Sequence, residues 1–209
     1  EDEDRRAERH QAVPLAHAHA EQGDDREKVI FGDAPGACVP ILGEPTLPYR
    51  PMDGPARGSD WFDPESVSEL TFRRSQIQAG VVLRDYNYRT PTVDLKVTTP
   101  VVPDGIGAFY EYGDHYKDPK GGAVYATVRA EEIKCRQGVW SGAGDGRAMR
   151  AGHTYLLSDH YRPDFNAMYL ITDTGVEASQ AVELGKGPGQ VMARYKNTFE
   201  SNPADVAFR

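Results

Sequence analysis

The sequence predicts a mainly β fold: a β-barrel domain with one α-helix, preceded by an irregular Pro/Gly-rich segment from a neighbouring subdomain. Three observations lead there. Short segments of alternating apolar and polar residues recur from Ser66 to Phe199, as half-buried strands require. One stretch, Gly122 to Gln137, lacks proline and is rich in Ala, Glu, Lys and Arg. Between Asp33 and Asp63, Pro35, Pro40, Pro45, Pro48, Pro51 and Pro55 alternate with glycines, and no helix survives that density. At 209 residues the chain can bury a real core, as one large domain or two small ones.

Taken in order, residues 1–27 form an acidic segment whose composition permits disorder. Residues 28–64 hold a short strand within Glu27–Gly32 and then the extended connector, long enough to mark a subdomain boundary or a contact segment. The barrel domain is expected over 65–200. Its strands are Ser66–Gln76, around Leu70 and Phe72; Val81–Tyr88, with Asp94–Thr99 as an extension; and Ile106–Tyr112. A helix follows over Ala123–Gln137, with Lys134 and Arg136 complementing its dipole, Gly138 as its stop, and a stripe of Val124, Val128 and Cys135 broken at Glu131. Then come Val139–Ser141, His153–Ser158, Ala167–Asp173 and Gln190–Glu200. Leu156 opposes Tyr155 and Leu157, and Met168 and Leu170 oppose Tyr169 and Ile171, so this hairpin is expected to be covered on both faces. Residues 201–209 read as a linker towards a further C-terminal domain.

Composition narrows the function. Hydrophobic residues make up 39% and charged residues 27%, with a net charge of −8, the balance of a soluble globular chain. Clustered Lys and Arg are absent, so no nucleic acid is expected. Cys38 and Cys135 show neither metal-ligand spacing nor a disulfide framework and are expected as buried thiols in a reducing cytoplasm. No apolar run approaches the ~20 residues that span a bilayer, and the charged N-terminus has no signal-peptide core. The chain starts at Glu1 inside a charge run rather than at Met, which reads as a fragment or a processed product.

Chemistry-bearing clusters are present but incomplete. His17 and His19 share one face of a strand, with Glu21, Asp24 and Asp25 near, a spacing that can build a metal site; their alanine-rich polar surroundings argue against one. Asp114-His115, Asp159-His160 and His153 suggest histidine with an orienting carboxylate, yet no Gly-x-Ser-x-Gly elbow supplies a nucleophile. Gly142-Ala-Gly-Asp-Gly146 and Gly185-Lys-Gly-Pro-Gly189 lack the strand-to-helix setting of a phosphate cradle and read as turns. Aromatics are more informative. Tyr86, Tyr88, Phe109, Tyr110, Tyr112, Tyr116, Tyr155, Tyr161 and Tyr169 lie in or beside strands, with Arg84, Arg89 and Arg162 near, the composition of protein interfaces. The alternative is core tyrosines with satisfied hydroxyls.

Four segments in order resemble one family: Pro45-Thr-Leu-Pro-Tyr-Arg-Pro51; Glu65-Ser-Val-Ser-Glu69 leading to Gly80-Val-Val-Leu-Arg-Asp-Tyr-Asn-Tyr-Arg-Thr-Pro91; Val128-Arg-Ala-Glu-Glu132; and Arg150-Ala-Gly-His-Thr-Tyr-Leu-Leu157 with Asn166-Ala-Met-Tyr-Leu-Ile-Thr172. This set resembles the spike proteins of bacterial type VI secretion, the VgrG family, from about Lys28 to Arg209. The resemblance implies a hub like that of contractile phage baseplates, a hub-type β-barrel, assembled as a homotrimer. Its implied partners are a hexameric inner-tube protein, baseplate proteins, and effectors or adaptors. It implies no catalytic residue, cofactor or metal, no stable membrane insertion by this segment, and assembly in the bacterial cytoplasm before translocation into a target cell. The expected interface residues are Arg84, Asp85, Tyr86, Tyr88, Phe109 and Tyr110. The alternatives are the baseplate hub of a contractile phage or prophage and, from another class, a small cell-wall hydrolase using Asp114, His115, His153 and His160.

Overall fold

The computed structural model describes residues 17–22, 27–32, 37–51, 65–179 and 194–209, with backbone alone for 17–22, 27–32 and 194. Its strands are β1 (His17–Gln22), β2 (Glu27–Gly32), β3 (Val39–Pro40), β4 (Thr46–Pro48), β5 (Val67–Arg74) and β6 (Gly80–Asp85). They continue as β7 (Leu95–Pro100), β8 (Ala108–Tyr112), β9 (Gly138–Gly144), β10 (His153–Ser158), β11 (Met168–Ser179) and β12 (Arg194–Pro203). The helix α1 is Pro119–Cys135. Among the described residues the fold is mainly β with one α-helix, as the sequence predicts. Two compact units result: one from Glu1–Pro35, Arg74–Gln137 and Val206–Arg209, the other from Gly36–Arg73 and Gly138–Asp205. Residues 65–200, expected as one barrel domain, contribute to both.

In the first unit the acidic N-terminal segment is not structureless throughout. β1 pairs antiparallel with β2, from His17 opposite Gly32 to Gln22 opposite Glu27. Backbone pairing, which composition does not report, forms this strand. Residues 23–26 lie outside the described residues. A second sheet has the order β7-β6-β8, with β7 antiparallel and β8 parallel to β6. β7 is therefore the partner of β6 and not its extension. α1 packs on this sheet over a core of Val81, Leu83, Leu95, Tyr116, Ala126 and Ala130.

The helix begins four residues before the expected Ala123. Asp118 caps it: its Oδ1 accepts the Gly121 N–H at 2.8 Å, and Pro119 occupies the first helical position. Of the expected stripe, Val128 and Cys135 are buried. Val124 is exposed, while Gly122, Ala126 and Ala130, four residues apart, are buried. These small side chains let the helix approach the sheet, and their low hydrophobicity hid the stripe. A Cβ at Gly122 would lie 2.6 Å from Tyr116 Cε2 and 2.9 Å from Val97 Cγ2. Gly122→Ala is expected to destabilise by about 1–3 kcal/mol through overpacking, despite alanine's better helix propensity. Gly121→Ala, whose Cβ would meet Asp118 Oδ1 at an ordinary 3.6 Å, is expected to stabilise by up to about 1 kcal/mol. Thermal melts of the pair check the opposite signs.

The second unit is the barrel. Its seven-stranded sheet runs β3-β10-β11-β12-β9-β5, with β4 also on β10. β3 and β4, inside the predicted connector, run parallel to β10. A parallel bridge between Tyr49 and Val67, with the Arg50 N–H donating to Val67 O at 2.8 Å, joins the line of β4 to β5. The two ends of the sheet meet there. Inside lie Ile41, Leu47, Val67, Met149, Tyr155, Leu157, Phe165, Tyr169, Ile171 and Phe199. Tyr155 and Tyr169 stack at 5.6 Å, and Phe199 meets Tyr155 edge-on at 5.7 Å. The expected cover on both faces of the β10–β11 hairpin is only partial, since Leu156 and Met168 are exposed. Gly142 and Gly144 are strand residues of β9, not a turn. A Cβ at Gly144 would lie 2.5 Å from Ser66 O, so glycine is what admits β5 so closely. The Gly185–Gly189 run lies outside the described residues. β12 continues through Pro203, so the expected linker from 201 begins inside a strand. Cys135 is buried as expected, but Cys38 is only half-buried.

Burial pushes the Tyr169 phenol up to about 12 and raises those of Tyr155 and Tyr116 as well. The folded chain therefore holds these protons more tightly than the unfolded chain, where tyrosine titrates near 10. For Tyr169 that stabilisation is whole below about pH 10 and is lost as pH rises through about 12. Tyrosinate absorbance and circular dichroism recorded together are expected to show these phenols ionising only as the fold opens.

Candidate subunit interface

The face of the β7-β6-β8 sheet opposite α1 is built by strand alternation. Val81 and Leu83 point into the core, so Val82 and Arg84 point away. Register places Tyr110 and Thr98 beside Val82, and Tyr112 and Lys96 beside Arg84. Tyr110 and Tyr112 are 59% and 60% exposed. Tyr86 and Tyr88, 61% and 74% exposed, follow on the loop from β6 to β7.

That loop is shaped by its own backbone. Thr90 N–H donates to Asn87 O and Val93 N–H to Thr90 O, both at 3.1 Å. The Asn87 side chain accepts from Arg89 N–H at 3.0 Å, an Asx-type turn. Arg89 Nε donates to the Tyr88 hydroxyl at 3.1 Å, with its guanidinium 5.6 Å from that ring. A shallow depression of about 430 Å³ opens beside the loop, lined among others by Arg84, Asp85, Tyr86, Asp94, Tyr110 and Tyr112. Asp85 is half-buried; one carboxylate oxygen accepts the Tyr86 N–H at 2.7 Å, and the other is buried with no hydrogen-bond partner among the described residues.

Of the predicted interface residues, Arg84, Asp85, Tyr86, Tyr88 and Tyr110 gather at this face and its loop, and four of them are exposed. Phe109 does not. It packs against the core under α1, because neighbours on a strand face opposite ways. Lys96 and Tyr112 belong to the face and were not among the predicted set.

The hydrolase candidates are divided between the two units. Asp114 and His115 lie in the first unit, and His153 and His160 in the barrel unit. His160 is buried among Tyr49, Tyr161 and Phe165, with Nδ1 accepting the Arg162 N–H at 3.1 Å. His153 is buried with Nδ1 3.3 Å from Ala151 O. Both are core and loop residues. Among the described residues no three His, Cys, Asp or Glu side chains converge on a possible metal position; the side chains of His17 and His19 lie outside them.

The model of the family described as phage tail baseplate hub (GPD) matches residues 10–182. The chain belongs to this family. Hub-family relatives include the type VI secretion system spike proteins VgrG1c and VgrG1a of Pseudomonas aeruginosa, each 28% identical over 88% of this chain. The actin cross-linking toxin VgrG1 of Vibrio cholerae is 24% identical, also over 88% of the chain. The chain spans 25%, 28% and 16% of those proteins respectively. Among solved structures, a tail protein of Neisseria meningitidis is similar with a TM-score of 0.55 at 9% identity, covering 91% of this chain and 52% of that one. A 43 kDa tail protein of a Shewanella oneidensis prophage gives 0.51 at 9% identity, over 87% and 48%. These two share the fold, mainly β.

Proposed function

We propose that the chain is a structural part of a type VI secretion spike, the hub that trimerises, caps the hexameric inner tube and carries a membrane-puncturing needle. The observation that carries the reading is the hub-family match over residues 10–182, joined to 28% identity with two spike proteins. The hub assembles in the bacterial cytoplasm with baseplate proteins and effectors or adaptors, and leaves with the spike into the target cell. Its work is binding, with no catalytic group, cofactor or metal.

Arg84, Asp85, Tyr86, Tyr88 and Tyr110 form the contact with a neighbouring subunit, and Phe109 supports that face from beneath. Exposed tyrosines beside an arginine supply large contact area with few rotors to immobilise. Replacing Arg84, Tyr86, Tyr88 and Tyr110 together by alanine is expected to abolish trimers, read by sedimentation velocity, while circular dichroism stays unchanged. Trimers and tube caps that form as before would remove the interface assignment. A hub of a contractile phage tail is the second reading, favoured by the family's own description; it differs in what the tail delivers, not in the physics of the ring.

A further inference from the structure

We propose that the β7-β6-β8 face of one copy docks head-to-tail on the outer face of the barrel of a second copy. This rests on the hub reading above and names the surface that Arg84 meets. Two features that each cost stability in an isolated chain point to it. On the first face Arg84 stands directly opposite Lys96 across the β6–β7 ladder. On the barrel Asp173 stands directly opposite Glu200 across the β11–β12 ladder. Like charges placed directly across a ladder destabilise it. All four side chains are exposed, and among the described residues none of the four forms an ion pair.

The surroundings complete the match. Next to Arg84 and Lys96 the outward neighbours are Tyr110, Tyr112, Val82 and Thr98; Asp94 and the half-buried Asp85 line the depression beside Arg84. Next to Asp173 and Glu200, a second shallow depression of about 440 Å³ adds Glu69, with Lys196 its one cation. The cationic Arg84–Lys96 pair on a tyrosine-rich face and the acidic Asp173–Glu200 pair on the barrel are complementary in sign. Each carries the charge that relieves the other's repulsion. Because the two surfaces differ, the contact is heterologous, and a heterologous contact repeated among identical copies builds a ring when its rotation closes. The net charge of −8 adds a reason for a directed contact: two acidic chains approach against their overall repulsion unless a local cationic patch steers them.

The test is charge reversal on the 209-residue chain, with mass read by sedimentation equilibrium and native mass spectrometry. Arg84→Glu with Lys96→Glu is expected to weaken self-association by roughly 100-fold or more, since like charges across an interface cost several kcal/mol. Asp173→Lys with Glu200→Lys is expected to do the same. The chain carrying all four changes is expected to associate again, because both surfaces have exchanged sign; loss of fold cannot produce that recovery. Added salt should weaken the wild-type and four-change assemblies alike. Oligomers that persist in both double variants overturn the docking and leave the hub reading standing, as does failure of the four-change chain to recover. A chain that stays monomeric at tens of micromolar also overturns the docking, and the hub reading is then decided separately by whether the chain caps tubes of the inner-tube protein.

Discussion

Tyr155→Ala is expected to lower the stability of the barrel unit by about 3–5 kcal/mol, the range for truncating a large buried aromatic. Tyr155 is 1% exposed at the centre of the inner cluster. It stacks on Tyr169 at 5.6 Å and receives Phe199 edge-on at 5.7 Å, so its removal opens a cavity that three strands border. Tyr155→Phe is the control. The hydroxyl's contact with Ser201 Oγ is long, at 3.5 Å, so the phenylalanine variant is expected to lose no more than about 1 kcal/mol. Denaturant midpoints for the two variants, at unchanged slope, separate packing from hydrogen bonding. Equal losses in both would show that the hydroxyl, and not the ring, holds this part of the core.

Gly105→Ala is expected to cost the first unit about 3 kcal/mol, the upper end for overpacking. A Cβ there would lie 2.4 Å from Ala79 N and 2.5 Å from Gln78 C. Both obstacles are backbone, with no rotamer to turn aside. That backbone is also pinned: Ala79 N–H donates to Gly107 O at 3.0 Å, Val101 N–H to Ala79 O at 2.8 Å, and Ile106 N–H to Ile77 O at 3.0 Å. Relief of the clash must break part of this set, which fixes where β6 begins between its two neighbours. Native-state hydrogen exchange should show loss of protection at those amides in the variant, ahead of the amides of β9 to β12. A variant with wild-type stability would mean that the connection between β7 and β8 sits further from β6 than the geometry has it.

How much of this was legible depends on what carries the information. The β10 strand announced itself because Tyr155 and Leu157 alternate with Leu156, and the structure keeps that parity. The same parity puts the adjacent Phe109 and Tyr110 on opposite faces of β8. β1 was illegible because its ordering comes from pairing with β2, which alanine and histidine content does not reveal. The start of α1 was obscured by Gly121 and Gly122, although Asp118 and Pro119 signal a cap. Lys96 escaped notice because Asp94–Thr99 was expected to prolong β6. Only as a partner strand does it bring Lys96 opposite Arg84.

The way the chain is shared between its two units sets an order of synthesis. The β7-β6-β8 sheet and its helix occupy one uninterrupted run, Gly80–Cys135, and can close as soon as that run clears the ribosome. The barrel has no such option. β5 must wait for β9, and β9 in turn for β12, whose last residue is Pro203. Contacts this distant in sequence form slowly, so the nascent chain carries a β5 that still lacks its β9 partner while the insert folds. The hazard during translation is therefore an open barrel edge exposed beside an already finished neighbour, and a chain halted between Cys135 and Pro203 is the species that should aggregate.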